Sequence, residues 1–301
     1  MLKISKGLHL RDMGAKTNET SLWREIWLSL RKNKPALLGL VVIIVLVFVA
    51  IFAPLIVPCE EAIGFYPKEI LRPPGAQHIM GTDDLGRDIF ARVIWGSRVS
   101  VEVGILAVAF GLVIGLFMGA LAGYKEGLAD TLIMRAADIF FAFPYILGAI
   151  AVMTVLGPGL ENVIIAIGVL EWAYIARLFR SSVFSVKVND YVEAARAIGA
   201  GDGRILLKHI FPNAMAPVIV YSAMSVGTAI ITEAALSFLG IGMQPPSPSW
   251  GLMLADSRAF MSSAPWMMCF PGLAILITVL SFVLVADALR DSLDPKLKGA
   301  V

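Results

Sequence analysis

Two acidic residues within apolar stretches are the first candidates for chemistry. Glu171 occurs in VLEWAYIAR and Glu233 in AIITEAALSF. A charge inside a membrane span is costly, so such a residue is a functional hypothesis by default. The two carboxylates could relay protons in an ion-coupled secondary transporter, or they could be hydrogen-bonded structural groups near the ends of spans. The structural interpretation is favoured, while Glu233 with Ser237 and Phe238 is kept as a possible pathway or gate.

Motifs for catalysis or metal binding are not found in this sequence. It contains no GxxxxGK[ST] loop that could cradle a nucleotide phosphate and no HExxH pair. Cys59 and Cys269 are far apart, and the three histidines are scattered. We therefore expect no catalytic residue, no metal site and no cofactor bound by this chain. Energy for any work must come from another protein.

The composition is that of a membrane protein. The chain has 301 residues, of which 58% are hydrophobic and 16% charged, with a mean hydropathy of +0.80. A soluble domain carries about a quarter charged residues. The net charge of +2 gives no reason to expect a nucleic-acid partner. We expect an all-α polytopic protein in the lipid bilayer.

Six apolar stretches are candidate transmembrane helices. They cover residues 36–58, 101–124, 138–157, 162–176, 213–240 and 267–289. If the N-terminus is cytoplasmic, the inner segments hold 19 Lys and Arg residues and the outer ones hold 6. Basic residues concentrate on the cytoplasmic side of membrane proteins. This charge distribution predicts that both termini are cytoplasmic.

The segments around these spans divide the chain into four regions. Residues 1–35 form a cytoplasmic tail, whose residues 22–30 repeat apolar and basic side chains as an amphipathic interfacial helix does. The first span, 36–58, is followed by an extracytoplasmic segment, 59–100. Residues 101–301 form a five-helix core with a cytoplasmic loop at about 177–212.

The extracytoplasmic segment contains the sequence GTDDLGRDIFARVIWGSRVS. Asp83 or Asp84 could cap a short helix there, since an aspartate accepts hydrogen bonds from the first free backbone amides. Asp88 completes an acidic trio, but the spacing of a calcium-binding loop is missing. Capping and a local ion pair with Arg87 are therefore favoured over a metal site.

Four glycines in the second span recur at every fourth residue. They are Gly111, Gly115, Gly119 and Gly123 in GLVIGLFMGALAG. A ridge of such residues on one helix face allows another helix backbone to approach closely in lipid. The ridge predicts tight helix packing, either within this chain or against another subunit.

The loop between the fourth and fifth spans is charged and rich in glycine. Residues 193–212 read EAARAIGAGDGRILLKHIFP. Asp190 followed by Glu193 matches a capping box, which predicts a short helix from Tyr191. Gly199 can adopt the left-handed conformation that ends such a helix.

A second short helix is predicted after the glycines. Asp202 could cap it, and it would extend through Lys208 until Pro212 stops it before Asn213 opens the fifth span. Together the two helices would form a finger that projects from the membrane. Its slim, alanine-rich surface is suited to insertion into a groove of another protein.

This pattern resembles the EAA loop of bacterial ABC-importer permeases. The matching residues are Glu193-Ala194-Ala195, Gly199 and Ile210-Phe211-Pro212. HIFPN resembles the HILPN form of the dipeptide, oligopeptide and nickel branch, although His209 stands where the broad pattern has isoleucine. GTDDLGRDIFARVIWGSRVS and TEAALSFLGIGMQPPSPSWG resemble segments of the C-type subunit of that branch.

The resemblance implies a type I ABC-importer permease core with an extra N-terminal span. It implies half of a translocation pathway for di- or oligopeptides in the bacterial inner membrane, with a nickel chelate or another small solute as alternative cargo. The implied partners are a second homologous permease subunit in a heterodimer, two ATPase subunits that hold ATP and Mg, and an extracytoplasmic substrate-binding protein. The residues it assigns to ATPase coupling are Glu193, Ala194, Ala195, Gly199, Asp202 and Pro212.

Overall fold

The computed structural model describes residues 30–31 and 33–293, and this part of the chain is helical with no β-strand beyond a single bridge between Thr82 and Asp88. The amphipathic helix predicted before residue 30 lies outside the described residues. The main helices are α1 (Lys34–Ile56), α2 (Cys59–Ile63), α3 (Ile89–Lys125), α4 (Gly127–Phe141), α5 (Tyr145–Leu156), α6 (Leu160–Lys187), α7 (Asp190–Ala197), α8 (Ala216–Phe238), α9 (Trp250–Ser257) and α10 (Trp266–Leu293).

Five of these helices are long and apolar enough to cross a membrane. They are α1, α3, α6, α8 and α10, and the bent pair α4 and α5 makes a sixth if it is counted as one span. An all-α membrane protein with up to six spans is therefore confirmed.

The third span differs from the prediction of one helix over residues 138–157. The chain breaks between α4 and α5, whose axes differ by 93°. Pro144 stands directly before α5, and a proline disfavours helical geometry in the residue that precedes it. With 12 residues, α5 is about 18 Å long, which is shorter than a hydrocarbon core of about 30 Å.

The other spans also begin or end elsewhere than predicted, as three of them illustrate. α3 starts at Ile89 instead of residue 101, and its 37 residues give it a length of about 55 Å. α6 extends to Lys187, beyond the predicted end at 176, and α8 starts at Ala216. Hydropathy detects only the apolar window of a helix, whereas backbone hydrogen bonding continues through the charged turns outside hydrocarbon.

At the N-terminus of α3 the capping residue differs from the predicted one. Asp88, rather than Asp83 or Asp84, is the capping residue, since its Oδ1 accepts a 2.9 Å hydrogen bond from the Ala91 amide. Asp83 instead folds the preceding turn and pairs with Arg87, with 2.6 Å between Oδ2 and Nε. The predicted local pair with Arg87 is thereby confirmed.

Helix α1 lies at the edge of the helical core. A Cβ atom added at Gly39 would lie 2.8 Å from the Ser281 carbonyl oxygen on α10, so the two backbones are in close contact. Most of the other α1 side chains are apolar and at least partly exposed. Such a surface is suited to contact with lipid tails.

Candidate functional site

Residues 190–214 form the finger that connects α6 with α8. Its first helix, α7, begins at Asp190 with Asn189 at the cap position and no capping hydrogen bond from that side chain. The predicted capping box is therefore wrong, because Asp190 already lies in the first helical turn. Gly199 has φ +84° and ends the turn as predicted, a conformation that glycine adopts without steric cost.

The second half of the finger is more continuous than predicted. Asp202 is the first residue of a helical turn and not its cap, which is Gly201. The helix does not stop at Pro212 but continues through a π-helical segment, Ile205–Ile210, into Phe211–Ala214. A proline ring clashes with the carbonyl four residues earlier, and the wider π turn ahead of Pro212 relieves this clash.

The finger is anchored to the membrane helices through an apolar core. One side of α7 and of the π-helical segment faces inward, so the finger is held on the spans. The side chains in this core are Val192, Ala195, Ile205, Ile210 and Ala214 of the finger, with Ile175, Phe179 and Val183 of α6 and Val218 of α8.

The other side of the finger is exposed and partly apolar. Ile198 has 86% of its surface exposed, and Tyr191 and Leu207 are exposed as well. Of the residues assigned to coupling, Ala195 is buried, and the exposed ones are Glu193, Ala194, Gly199, Asp202 and Pro212. Burial of exposed apolar side chains on another protein would stabilise a complex by about 25 cal/mol per Å² of apolar surface.

Polar contacts join the finger and the end of α6 to the end of α3. The Tyr124 hydroxyl donates a 2.6 Å hydrogen bond to Asp202 Oδ1. Lys187 Nζ lies 2.8 Å from both the Tyr124 carbonyl oxygen and Glu126 Oε1. Arg180 of α6 pairs with Asp130 of α4 nearby. The finger is therefore held to α3 by a direct hydrogen bond, and beside it α6 is held to α3 and α4.

The four glycines of α3 face α6 of the same chain. A Cβ atom at any of them would come closer to α6 than real Cβ atoms approach a neighbour, so the two backbones are nearly in contact. The distances from such a Cβ are 2.8 Å for Gly111 to Glu171 Cβ, 2.6 Å for Gly115 to Ile175 Cβ, 2.6 Å for Gly119 to the Ala176 carbonyl oxygen and 2.9 Å for Gly123 to Val183 Cβ. The ridge thus packs within this subunit.

Comparison with known protein families identifies the family to which this chain belongs. Residues 111–299 match the model of the binding-protein-dependent transport system inner membrane component, which covers more than half of the chain. Residues 21–74 match the N-terminal TM domain of oligopeptide transport permease C. The chain belongs to the binding-protein-dependent transport permeases.

Two relatives are similar to this permease over nearly its whole length. The dipeptide transport system permease protein of Alkalihalophilus pseudofirmus is 48% identical, with 93% of this chain and 91% of the relative aligned. The glutathione transport system permease protein of Pectobacterium atrosepticum is 43% identical, with 96% and 95% aligned. The inward-facing MetNI methionine ABC transporter superposes with a TM-score of 0.58 at 18% identity, covering 68% of this permease and 98% of that chain.

These matches also bear on the first sequence hypotheses. The fold is that of an ABC-importer permease with an additional N-terminal span, and the protein is a multi-pass component of the inner membrane. Family membership decides against the ion-coupled secondary transporter that Glu171 and Glu233 left open. The permease is a transport subunit.

Glu171 lies in the middle of α6 and not near the end of a span. It is 4% exposed, and its carboxylate accepts hydrogen bonds from the Ser225 hydroxyl of α8 and, at 3.4 Å, from the Tyr145 hydroxyl of α5. The predicted span ended at residue 176, which made Glu171 look terminal. Its carboxylate joins three membrane helices.

Glu233 and Ser237 form a buried polar pair in the permease. Both are buried within the subunit, and the Ser237 hydroxyl donates a 2.8 Å hydrogen bond to Glu233 Oε1. Ser237 Oγ also accepts from the Met243 amide, which fixes the loop after α8. Phe238 is partly buried, with the Arg258 guanidinium 4.3 Å from its ring centroid. Neither Glu233 nor Ser237 reaches the surface of this subunit, and their role in a pathway or gate stays a prediction.

One polar cluster was not identified from the sequence. Arg92 is almost fully buried and bridges Asp83, at 2.8 Å, to Asp256 of α9, at 3.4 Å. Burial raises the pKa of Asp256, and the neighbouring Arg92 and Arg87 act against this rise. The cluster fixes α9 to the start of α3. Because Asp256 is distant in sequence and surrounded by no motif, no local pattern could have revealed this partner.

Proposed function

We propose that this permease forms half of the translocation pathway of an ATP-driven importer for di- or oligopeptides. A second, homologous permease subunit completes the pathway as a heterodimer. Two separate ATPase subunits hold ATP and Mg, and an extracytoplasmic binding protein delivers the solute. In this proposal the finger is the contact through which the ATPases move the membrane helices.

The observation that carries the proposal is the two-sided finger. Its inner side is anchored on α6 and α8 by buried apolar residues, whereas Ile198, Tyr191 and Leu207 are exposed on its outer side. A segment that only connected two spans would not need an exposed apolar surface on a well-anchored frame. A partner that covers this surface could push on the spans through it.

The peptide cargo is supported by the relatives, whose names specify dipeptide and glutathione transport. Both solutes are short peptides, so a peptide is the cargo class favoured for this permease. Nickel chelates and other small solutes are the alternative. In such importers the binding protein selects the solute, so the test must include it.

The decisive experiment reconstitutes the permease with its partner permease, the ATPases and the binding protein in proteoliposomes. Uptake of radiolabelled alanyl-alanine, glutathione and a nickel–histidine chelate is then measured with ATP inside. We expect ATP-dependent uptake of at least one peptide and hydrolysis stimulated by the loaded binding protein. Uptake of the nickel chelate alone, or uptake without ATP, would contradict the proposal.

The proposed orientation has both termini and the finger in the cytoplasm, as the charge distribution predicts. Cys59 and Cys269 are both exposed, so a Cys269→Ser variant leaves Cys59 as a single probe. A membrane-impermeant maleimide should label Cys59 in intact spheroplasts. In a Cys59→Ser, Cys269→Ser background, a cysteine at Ile198 should be labelled only after the membrane is opened. The reverse pattern would invert the topology.

A further inference from the structure

Three tyrosines from different helices form a cluster beside the break between α4 and α5. Tyr145 begins α5, Tyr174 lies in α6 and Tyr221 in α8. The rings of Tyr174 and Tyr221 are stacked, with centroids 6.4 Å apart and an interplanar angle of 16°. Tyr145 meets Tyr174 at the same centroid distance but at 66°. We call these residues the tyrosine cluster.

The Glu171 carboxylate lies beneath the tyrosine cluster without a basic partner. In the part of the chain that the structure describes, no Lys, Arg or His nitrogen lies within 4.0 Å of it. Arg177, on the same helix, pairs with Asp138 instead. A desolvated carboxylate combined with aromatic ring faces attracts a cation, since both present negative potential.

The tyrosine cluster opens to the surface of the subunit. Tyr174 is 38% exposed, and Tyr221 lines a recess of about 440 Å³ together with Val220, Met224 and Arg290. This volume lies within the range of small-ligand sites. Arg290 gives the recess lining a positive charge. This charge suits the carboxylate group of a solute that carries both an ammonium and a carboxylate group.

We propose that Glu171 and the tyrosine cluster bind the ammonium group of the transported solute as it passes through the permease. This inference rests on the proposed function, because a peptide with a free amino terminus carries such a group. The stacked rings of Tyr174 and Tyr221 contact the cation, and the Glu171 carboxylate supplies the opposite charge. The competing interpretation is structural, in which Glu171 only holds Tyr145 in place.

The first test detects the solute at the cluster. The photo-reactive residue benzoylphenylalanine replaces Tyr174 in the complete transporter, which is illuminated during ATP-driven uptake of radiolabelled alanyl-alanine. Label should be attached to the permease at this position. The matched control replaces Val113, which is 71% exposed on α3. Labelling at 174 no greater than at 113 would overturn the proposal.

The second test separates charge from structure. Glu171→Gln keeps a side chain that can hydrogen-bond Ser225 and Tyr145 but removes the charge, whereas Tyr145→Phe removes one hydrogen bond and keeps both the ring and the charge. We expect Glu171→Gln to lower peptide uptake and labelling at position 174 by about tenfold. Tyr145→Phe should lower uptake by less than about threefold.

The outcomes distinguish this inference from the proposed function. If the wild type takes up peptide and Glu171→Gln does so equally well, the cation site alone is overturned. Equal losses of peptide uptake in Glu171→Gln and Tyr145→Phe would support the structural interpretation, and they would also overturn the cation site. If the wild type takes up neither alanyl-alanine nor glutathione, the peptide function fails and this inference fails with it.

Discussion

The glycine ridge of α3 and the finger use the same small residues for opposite purposes. In the ridge, Gly115 lies so close to α6 that a Cβ atom would be 2.6 Å from Ile175 Cβ. In the finger, a Cβ atom at Gly199 would meet nothing within 4 Å, and only the φ of +84° restricts the residue. The packing of the ridge therefore depends on glycines that have no side chain. The shape of the finger depends instead on backbone conformation and on an exposed surface.

This difference predicts separate consequences of substitution. A larger residue in the ridge must separate α3 from α6, which pack against each other in one of the buried apolar clusters of the subunit. A larger residue at the tip of the finger changes its shape while leaving the packing of the spans intact. Stability should respond in the first region, and coupling to partners in the second.

The largest effect is expected for Gly115→Leu. Overpacking a tight interior costs about 1–3 kcal/mol, and the Trp172 carbonyl oxygen, 2.9 Å from the new Cβ, cannot yield as a flexible side chain could. The thermal unfolding temperature in detergent and the yield of assembled complex should both fall. Gly203→Ala is the control, since its Cβ meets nothing within 4 Å. Wild-type stability of Gly115→Leu would show that α3 and α6 are not packed in this way.

Gly199→Val should affect the finger without destabilising the spans. A β-branched residue in the left-handed region costs about 1–3 kcal/mol, and the turn can avoid this cost by tilting α7. We expect normal membrane insertion and unfolding temperature but weaker ATPase retention in a pull-down. Gly201→Ala, at an open position with ordinary φ, should retain the ATPase. Equal ATPase retention by Gly199→Val and Gly201→Ala would show that docking does not depend on the left-handed conformation of Gly199.

Glu193→Lys changes only a charge on the exposed side of α7. The glutamate lies in the first turn of the helix, where a negative charge interacts favourably with the helix dipole by about 0.3–1 kcal/mol. Substrate-stimulated ATP hydrolysis and uptake should decrease, with the protein still in the membrane. Glu161→Lys reverses an equivalent exposed charge in the first turn of α6 and should have no such effect. Equal rates of substrate-stimulated ATP hydrolysis in Glu193→Lys and Glu161→Lys would show that Glu193 is not part of the coupling contact.

The sequence predicts those features whose cause is local. Apolar windows located the membrane helices, and the spacing of Gly111 to Gly123 predicted close packing, because both depend on side-chain type along one helix. The φ of Gly199 was predictable for the same reason. The role proposed for the finger came from family resemblance, since the motif from Glu193 to Pro212 resembles the EAA loop of ABC-importer permeases.

Features that depend on distant partners could not be predicted. The depth of Glu171 in α6 followed from helix length outside the apolar window, which hydropathy does not measure. The break before Tyr145 carried a local signal in Pro144, but the long apolar run concealed it. Arg92 and Asp256 meet only because α9 folds back on α3. The predicted caps Asp190 and Asp202 each lie one residue inside the helix, after Asn189 and Gly201, because an aspartate is also favourable in the first helical turn.

The smallest expected effect concerns the point at which the two regions touch. Tyr124 follows the last ridge glycine on α3, and its hydroxyl donates to Asp202 of the finger. Tyr124→Phe removes a hydrogen bond worth about 0.5–1.5 kcal/mol, and less where water replaces the partner. ATPase retention should therefore be unchanged, since the exposed side of the finger is untouched. Hydrolysis stimulated by the loaded binding protein should fall by about twofold, because displacement of the finger reaches α3 less directly.

Tyr66→Phe, which removes a hydroxyl bonded to the Glu60 carbonyl oxygen in the extracytoplasmic segment, is the control. Unchanged retention with unchanged stimulation would mean that this hydrogen bond does not couple ridge and finger, whereas a loss of ATPase retention would mean that Asp202 serves docking.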